Sequence, residues 1–461
     1  MKYRNQILIV AVATTFAGSA LAVSAEEAKQ LGGPVLTAWG AEKAGNKDGT
    51  IPAYTGERPV MALPDPKHPD KPGDPYANEK PLFTITAQNM DQYGDKVSEG
   101  QKTMLRKFPT YRMDVYPTHR TTIHEKYMLD NTLKNATACK AVNEQLRLEG
   151  CYGGFPFPIP KTGNEAVWSH ILSHPTHVWD GHVNTYVVDN AGKLILQASY
   201  HTVQEATYLD PATAGQQMNP NGFYWKLRFD ALGPARRIGE KTIILDPLDP
   251  REPGRRAWTY IPGQRRVKLA PDLAYDTPSP AAGGSATMDE QRVFLGAQDR
   301  YDMKLLGKKE MFIPYNNNKM LDPNKCPDAV SHTKLHMNPD CMRWELHRTW
   351  VVEAKVKAGI RHNIPRKMMY FDEDNWSSGI SDNWDAAGKI YHVDVFPMFV
   401  FFNLPAGQNG GDGGVFYDMS TGVYSTTLGL GNPDVGIYAP AKSIPDKNYF
   451  SPEALAGEGI R

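Results

Sequence analysis

From residue 178 onward, strand-like runs follow one another with only short turns between them, and this succession leaves an antiparallel sheet as the fold. Residues 183–188 (VNTYVV), a DNAG turn at 189–192 and residues 193–200 read as a hairpin. Residues 223–229 and 242–245 form a second pair, and 256–260 with 265–269, joined by a PGQ turn, a third. Further strands are expected at 301–315, 343–357, 367–373 and 389–402, with a last one ending near Tyr424. Few helices intervene, so the sheet is expected to be large, and curved or partly closed.

The clearest strand is RWELHRTWVVEAKVK at 343–357. Side chains alternate between faces, which puts Trp344, Leu346, Trp350, Val352, Ala354 and Val356 on one side. Glu345, His347, Thr349, Glu353, Lys355 and Lys357 occupy the other. Arg348 falls on the apolar face, where a guanidinium needs a partner. Asp372 or Asp385 would serve in a structural ion pair; a polar contact at the mouth of a cavity is the functional alternative.

The N-terminal third reads differently. Lys2 and Arg4 precede an apolar run and small residues, the pattern of a cleaved signal peptide over 1–25. Proline crowds residues 52–81, which should lie extended across a surface. Helices are expected over 89–107, over 125–148 with a break near Cys139, and over 165–172. The organisation is therefore a signal peptide, an extended and helical region at 26–177 packing on the sheet, and the sheet itself at 178–461. Export suits the four cysteines, Cys139, Cys151, Cys326 and Cys341, to disulfide formation. Three pairings are open, of which Cys139–Cys151 with Cys326–Cys341 is the local one. A formal net charge of +0 gives no electrostatic case for nucleic acid or for an anionic membrane.

Motifs for chemistry are sparse. There is no G-x-S-x-G elbow and no H-E-x-x-H, and Gly239-Glu240-Lys241-Thr242 lacks the glycine a phosphate loop needs before its lysine. Asp372, Glu373 and Asp374 at a strand end, and the Asn46-to-Gly49 loop, have calcium-like composition but read more simply as turns. Four histidines, His170, His174, His177 and His182, fall within 14 residues. Pro175 disfavours helix at His174, which undoes the i,i+4 pair that zinc would use, so no metal is assigned.

Several stretches together resemble a known family. They are LTAWGAEKAGNKDGTIPAYTG (36–56), YPTHRT (116–121), GGFPFPIPKTGNEAVWSH (153–170), AWTYIPGQRRVKLAPDLAYDTP (257–278), DRYDMKLLGKKEMFIPYNN (299–317), RWELHRTWVVEA and YFDEDNW. The resemblance is to a Gram-negative family of unknown function, itself similar to the periplasmic Lol carriers that sort outer-membrane lipoproteins. It implies an α+β fold: a strongly curved antiparallel sheet, an incomplete barrel with helices plugging the open side, around a cavity for acyl chains. It also implies an exporter of the resistance-nodulation-division class and an outer-membrane protein as partners, and it supplies no catalytic residue and no cofactor.

The function expected from these readings is a periplasmic carrier or adaptor for a hydrophobic, lipid-like molecule; the alternative is a periplasmic enzyme acting on lipid-like or aromatic esters. Large aromatic rings line apolar pockets. The expected cavity residues are Trp168, Trp258, Tyr260, Trp344 and Trp350, with Arg348 at the mouth.

Overall fold

A computed structural model describes residues 23–67, 71–377, 379–402, 409–410, 413–428, 439–441 and 443–457. The expected signal peptide falls almost wholly outside them. The period-two runs do become strands, in chain order β1 (Phe83–Ile85), β2 (Met113–Val115), β3 (Lys140–Val142), β4 (Arg147–Glu149), β5 (Val178–Val188), β6 (Leu194–Ala206), β7 (Phe223–Gly233), β8 (Lys241–Pro247), β9 (Arg256–Ile261), β10 (Arg266–Leu269), β11 (Tyr301–Pro314), β12 (Trp344–Val356), β13 (Arg366–Asp372), β14 (Gly379–Trp384), β15 (Ile390–Phe396), β16 (Met398–Phe399), β17 (Asn409–Gly410), β18 (Val415–Asp418), β19 (Tyr424–Thr426) and β20 (Ala439–Pro440). The longer helices are α1 (Ala25–Ala28), α2 (Glu99–Lys107), α3 (Lys126–Ala138), α4 (Gly163–Ile171), α5 (Asp328–Ser331) and α6 (Pro452–Gly457).

Two meanders make the main sheet. The first runs β5 to β10; the second runs β11 to β15 and continues through β18 and β19. They are joined by hydrogen bonds between β19 and β5, with Tyr424 opposite Val188. The strand order is thus β11-β12-β13-β14-β15-β18-β19-β5-β6-β7-β8-β9-β10, antiparallel along this path; β2, paired with β1, joins β12 in parallel, and β20 pairs with β5. The edge strands β10 and β11 do not pair with each other among the described residues, so the sheet is not closed into a barrel. Register shifts within the β5–β6, β6–β7 and β7–β8 pairs bend it. Chain continuity between the two edges is carried by residues 270–300. This strap holds one short 3₁₀ turn, Met288–Glu290, and a β-bridge between Pro278 and Thr287.

Both faces are covered. On the inner face, Val352, Ala354, Met369 and Phe371 meet α4 (Ala166, Val167, Ile171) and the strap (Met288, Val293, Phe294, Leu295). On the outer face, Tyr370, Ile380, Val393 and Val395 meet α2 through Met104 and Leu105. The outer face of the first meander packs on the C-terminal segment, with Ile243 and Tyr260 against Tyr449, Phe450 and Leu455. Helices therefore plug only part of the open side, at α4; the strap covers the rest. Both local disulfides are formed, Cys139–Cys151 and Cys326–Cys341.

Three local expectations change. The helix over 89–107 is a 3₁₀ turn at Met90–Tyr93 and then α2, because Ser98 caps a new start in a reciprocal box with Gln101. The helix over 125–148 ends at Ala138, and the rest becomes the β3–β4 hairpin, whose turn takes Asn143, Glu144 and Gln145 through positive φ. The run 389–402 breaks at Pro397, which has no N–H for the ladder. The polar face of β12 is not solvated: Glu345, His347 and Thr349 are fully buried in an ionic cluster.

Candidate ligand cavity

The first meander brings one residue in every two to a common hollow. Val183 and Thr185 of β5, Tyr200, Thr202 and Gln204 of β6, Trp225, Leu227 and Phe229 of β7, Thr242 and Ile244 of β8 and Thr259 of β9 form its floor. The strap forms its roof through Leu273, Ala281, Met288, Arg292 and Leu295. The cavity measures about 220 Å³ and its surface is mainly apolar. Threonines and several charged or amide side chains also line it, and some of these are committed to one another. Trp225 Nε1 donates to Gln204 Oε1 at 2.9 Å. Arg255 donates two bonds to Asp246, at 2.6 and 2.7 Å, and stands between this cavity and a second hollow of about 180 Å³. At the rim, Arg237 donates to Glu240 at 2.9 Å and lies 5.5 Å from the Tyr200 ring. Among the described residues the Gln291 amide nitrogen has no hydrogen-bond partner. Burial raises the Tyr200 pKa, which keeps the phenol neutral.

The aromatic residues singled out from the sequence lie elsewhere. Trp258 and Tyr260 flank Thr259 on β9 and so face the opposite side, against the C-terminal segment. Trp344 belongs to the outer core; Trp350 stacks on Trp376 at 5.7 Å in the inner core. Trp168 lines the second hollow, and its indole donates to the Gln145 carbonyl at 2.8 Å. Arg348 pairs with Glu373 at 3.2 Å and Glu42 at 3.6 Å, not with Asp372 or Asp385. What could have pointed to the cavity is the W-x-L-x-F spacing of β7, an apolar stripe on one face.

The crowded histidines disperse. His170 is buried, stacked on Phe371, with Nδ1 2.6 Å from the Trp376 carbonyl. His174 Nε2 accepts from Arg292 at 2.8 Å, which makes it part of the support behind the strap. His177 faces Glu205 at 3.4 Å, and His182 lies beside His201. A different group converges: His347, Asp372 and Asp374, within ion-holding distance of one another. Arg120 already clamps Asp374 with bonds of 2.6 and 2.8 Å, and Glu345 accepts from His347 at 3.1 Å. Burial, and then the neighbouring carboxylates Asp374 and Glu373, push Asp372 well above the usual range, so it is held as the neutral acid. The group acts as a buried ionic network that ties β12 to the end of β13.

The model of DUF1329, a family of proteins of unknown function, matches residues 84–456. The chain belongs to this family. It is 38% identical over 450 residues to the uncharacterized protein PA3922 of Pseudomonas aeruginosa, with 95% of both chains covered. Among solved structures, a putative outer membrane lipoprotein-sorting protein domain from Vibrio parahaemolyticus covers 63% of this chain and 97% of its own, at 10% identity and a TM-score of 0.41. A DUF1329 family protein from Desulfovibrio piger covers 63% and 95%, at 12% identity and a TM-score of 0.39. A LolA superfamily protein from Nitrosomonas europaea covers 63% and 98%, at 10% identity and a TM-score of 0.35.

Proposed function

We propose that this DUF1329 protein is a periplasmic carrier that binds the apolar part of a lipid-like molecule between the β5–β9 floor and the strap. The observation that carries the reading is the hollow itself. A folded chain fills its interior nearly as densely as an organic crystal. A space of about 220 Å³ lined mainly by apolar atoms is an exception to that density, and it suits a hydrocarbon guest. Each Å² of apolar surface removed from water contributes about 25 cal/mol, so retention needs no covalent bond. The two disulfides suit an oxidising compartment. The family resemblance adds partners to the proposal: an inner-membrane exporter of the resistance-nodulation-division class and an outer-membrane protein that receives or supplies the cargo.

The test is native mass spectrometry of protein taken from its own periplasm, with lipid extraction alongside. A co-purifying amphiphile is expected. Leu227→Asp, which places a charge on the floor, should reduce its occupancy at least tenfold, because an unpaired buried carboxylate is expensive. Protein with no guest, and no displacement of a fluorescent fatty acid by any lipid class, would remove the carrier reading.

A further inference from the structure

We propose that the rim of the cavity is a membrane-docking surface that takes an anionic lipid bilayer; the inference adds a site of action to the carrier reading and rests on it only for its purpose. The cavity opens beside the β7–β8 turn. An open depression lined by Arg236, Gly283 and Gly284 shares Arg237, Glu240, Ser279 and Pro280 with the cavity wall, so the two are continuous. Three features meet there.

The first is apolar. Leu232 and Ile238, at the ends of the β7–β8 turn, are 49% and 59% exposed. Held outward at a turn, these two aliphatic side chains leave about half of their surface to solvent. The second is charge. Arg236 is exposed and makes no ion pair among the described residues. The β9–β10 hairpin adds Arg265 at its turn and Arg266 and Lys268 on β10, all exposed and without an ion pair among the described residues. The carboxylates close by are already committed: Glu240 to Arg237, and Asp230 to Arg228 at 2.8 Å with Lys241 at 3.9 Å. Four uncommitted cations thus gather on one rim of a chain whose formal net charge is +0. The third is continuity between the two turns. A Cβ on Gly239 would lie 3.1 Å from Pro262 Cγ, so the apolar tips and the basic turn form one surface.

Aliphatic tips ringed by uncommitted arginines match an anionic bilayer on both counts. The tips enter the acyl boundary while the guanidinium groups stay at the phosphates. A soluble guest would need no such rim. A guest resident in a bilayer would, because its chain crosses from lipid to protein without passing through water.

The experiment is vesicle co-sedimentation of the full mature chain, using phosphatidylcholine vesicles with and without 30% phosphatidylglycerol. Binding is expected only with phosphatidylglycerol, and it should weaken as salt is raised. Arg236→Glu with Arg265→Glu should weaken it at least about fivefold per charge. Leu232→Asp with Ile238→Asp should do the same without touching the cations. Uptake of a fluorescent fatty acid from vesicle-free buffer is measured on the same variants and should be unchanged, which separates docking from cavity binding. Equal sedimentation with both vesicle types, or loss in neither double variant, overturns the proposal. Loss of fatty-acid uptake in all proteins would instead strike the carrier reading and leave docking standing.

Discussion

His170 shows how a single buried group sets a pH dependence. Burial, with Arg292 nearby, pushes its pKa down to about 3, against about 6.5 when unfolded. Above pH 6.5 neither state binds the proton; below it the unfolded chain does and the folded chain does not. The contribution to stability therefore falls as pH drops from 6.5 towards 3, and by pH 5 the loss from this residue is about 2 kcal/mol. His170→Gln is destabilising at pH 7, because the ring stacks on Phe371 and meets the Trp376 carbonyl. The gap between variant and wild type should narrow by about 2 kcal/mol between pH 7 and pH 5 in urea denaturation. An unchanged gap would mean that the imidazole is charged in the fold. The sequence showed that histidines crowd here; it did not show that each has a different neighbour. Arg292, Phe371 and Trp376 come from distant segments, and only the fold brings them to the helix.

At the scale of elements, α4 sits so close to β11 that its first residue can only be glycine. A Cβ on Gly163 would lie 2.5 Å from the Met303 carbonyl carbon. Gly163→Ala should cost about 1–3 kcal/mol in chemical denaturation, since the helix has to move off the strand. The hairpins were legible because a two-residue period and a turn dipeptide are local signals. Strand β14, GISDNW, was not. Its apolar content is low, and its Asp382 is buried to accept a hydrogen bond from Ser98 at the start of α2. The cavity expectation on β9 fell on the other face of the strand for a related reason. Aromatic content suggested Trp258 and Tyr260, but the pleat sends Thr259 to the hollow, and one step along a strand exchanges its faces. Arg348 has the ionic partner that a buried guanidinium needs, but it is Glu373 and not Asp372 or Asp385, because the register that sets Thr349 opposite Asp372 brings Glu373 beside Arg348.

For the molecule as a whole, the strap is both the roof of the cavity and the link between the sheet's two edges. Ser285 on the strap donates to Ser425 of β19, their oxygens 2.7 Å apart. Ser285→Cys with Ser425→Cys should form a bond that fixes the strap to β19, the strand beside the floor. Release of a bound fluorescent fatty acid is expected to slow at least tenfold on oxidation and to recover on mild reduction. Unaltered release would show that guests leave without the strap moving.

The two halves of the sheet meet through β19 and β5, while their covalent connection runs outside the ladder and over the hollow. Residues 415–426 have to arrive before β5 gains its second neighbour, so the enclosure is completed late in the chain's own assembly. On the carrier proposal, cargo can thus be walled in as the chain assembles. Protein matured in the cell and protein renatured from denaturant in lipid-free buffer would then be chemically different objects, one loaded and one vacant, with the same sequence and the same disulfides.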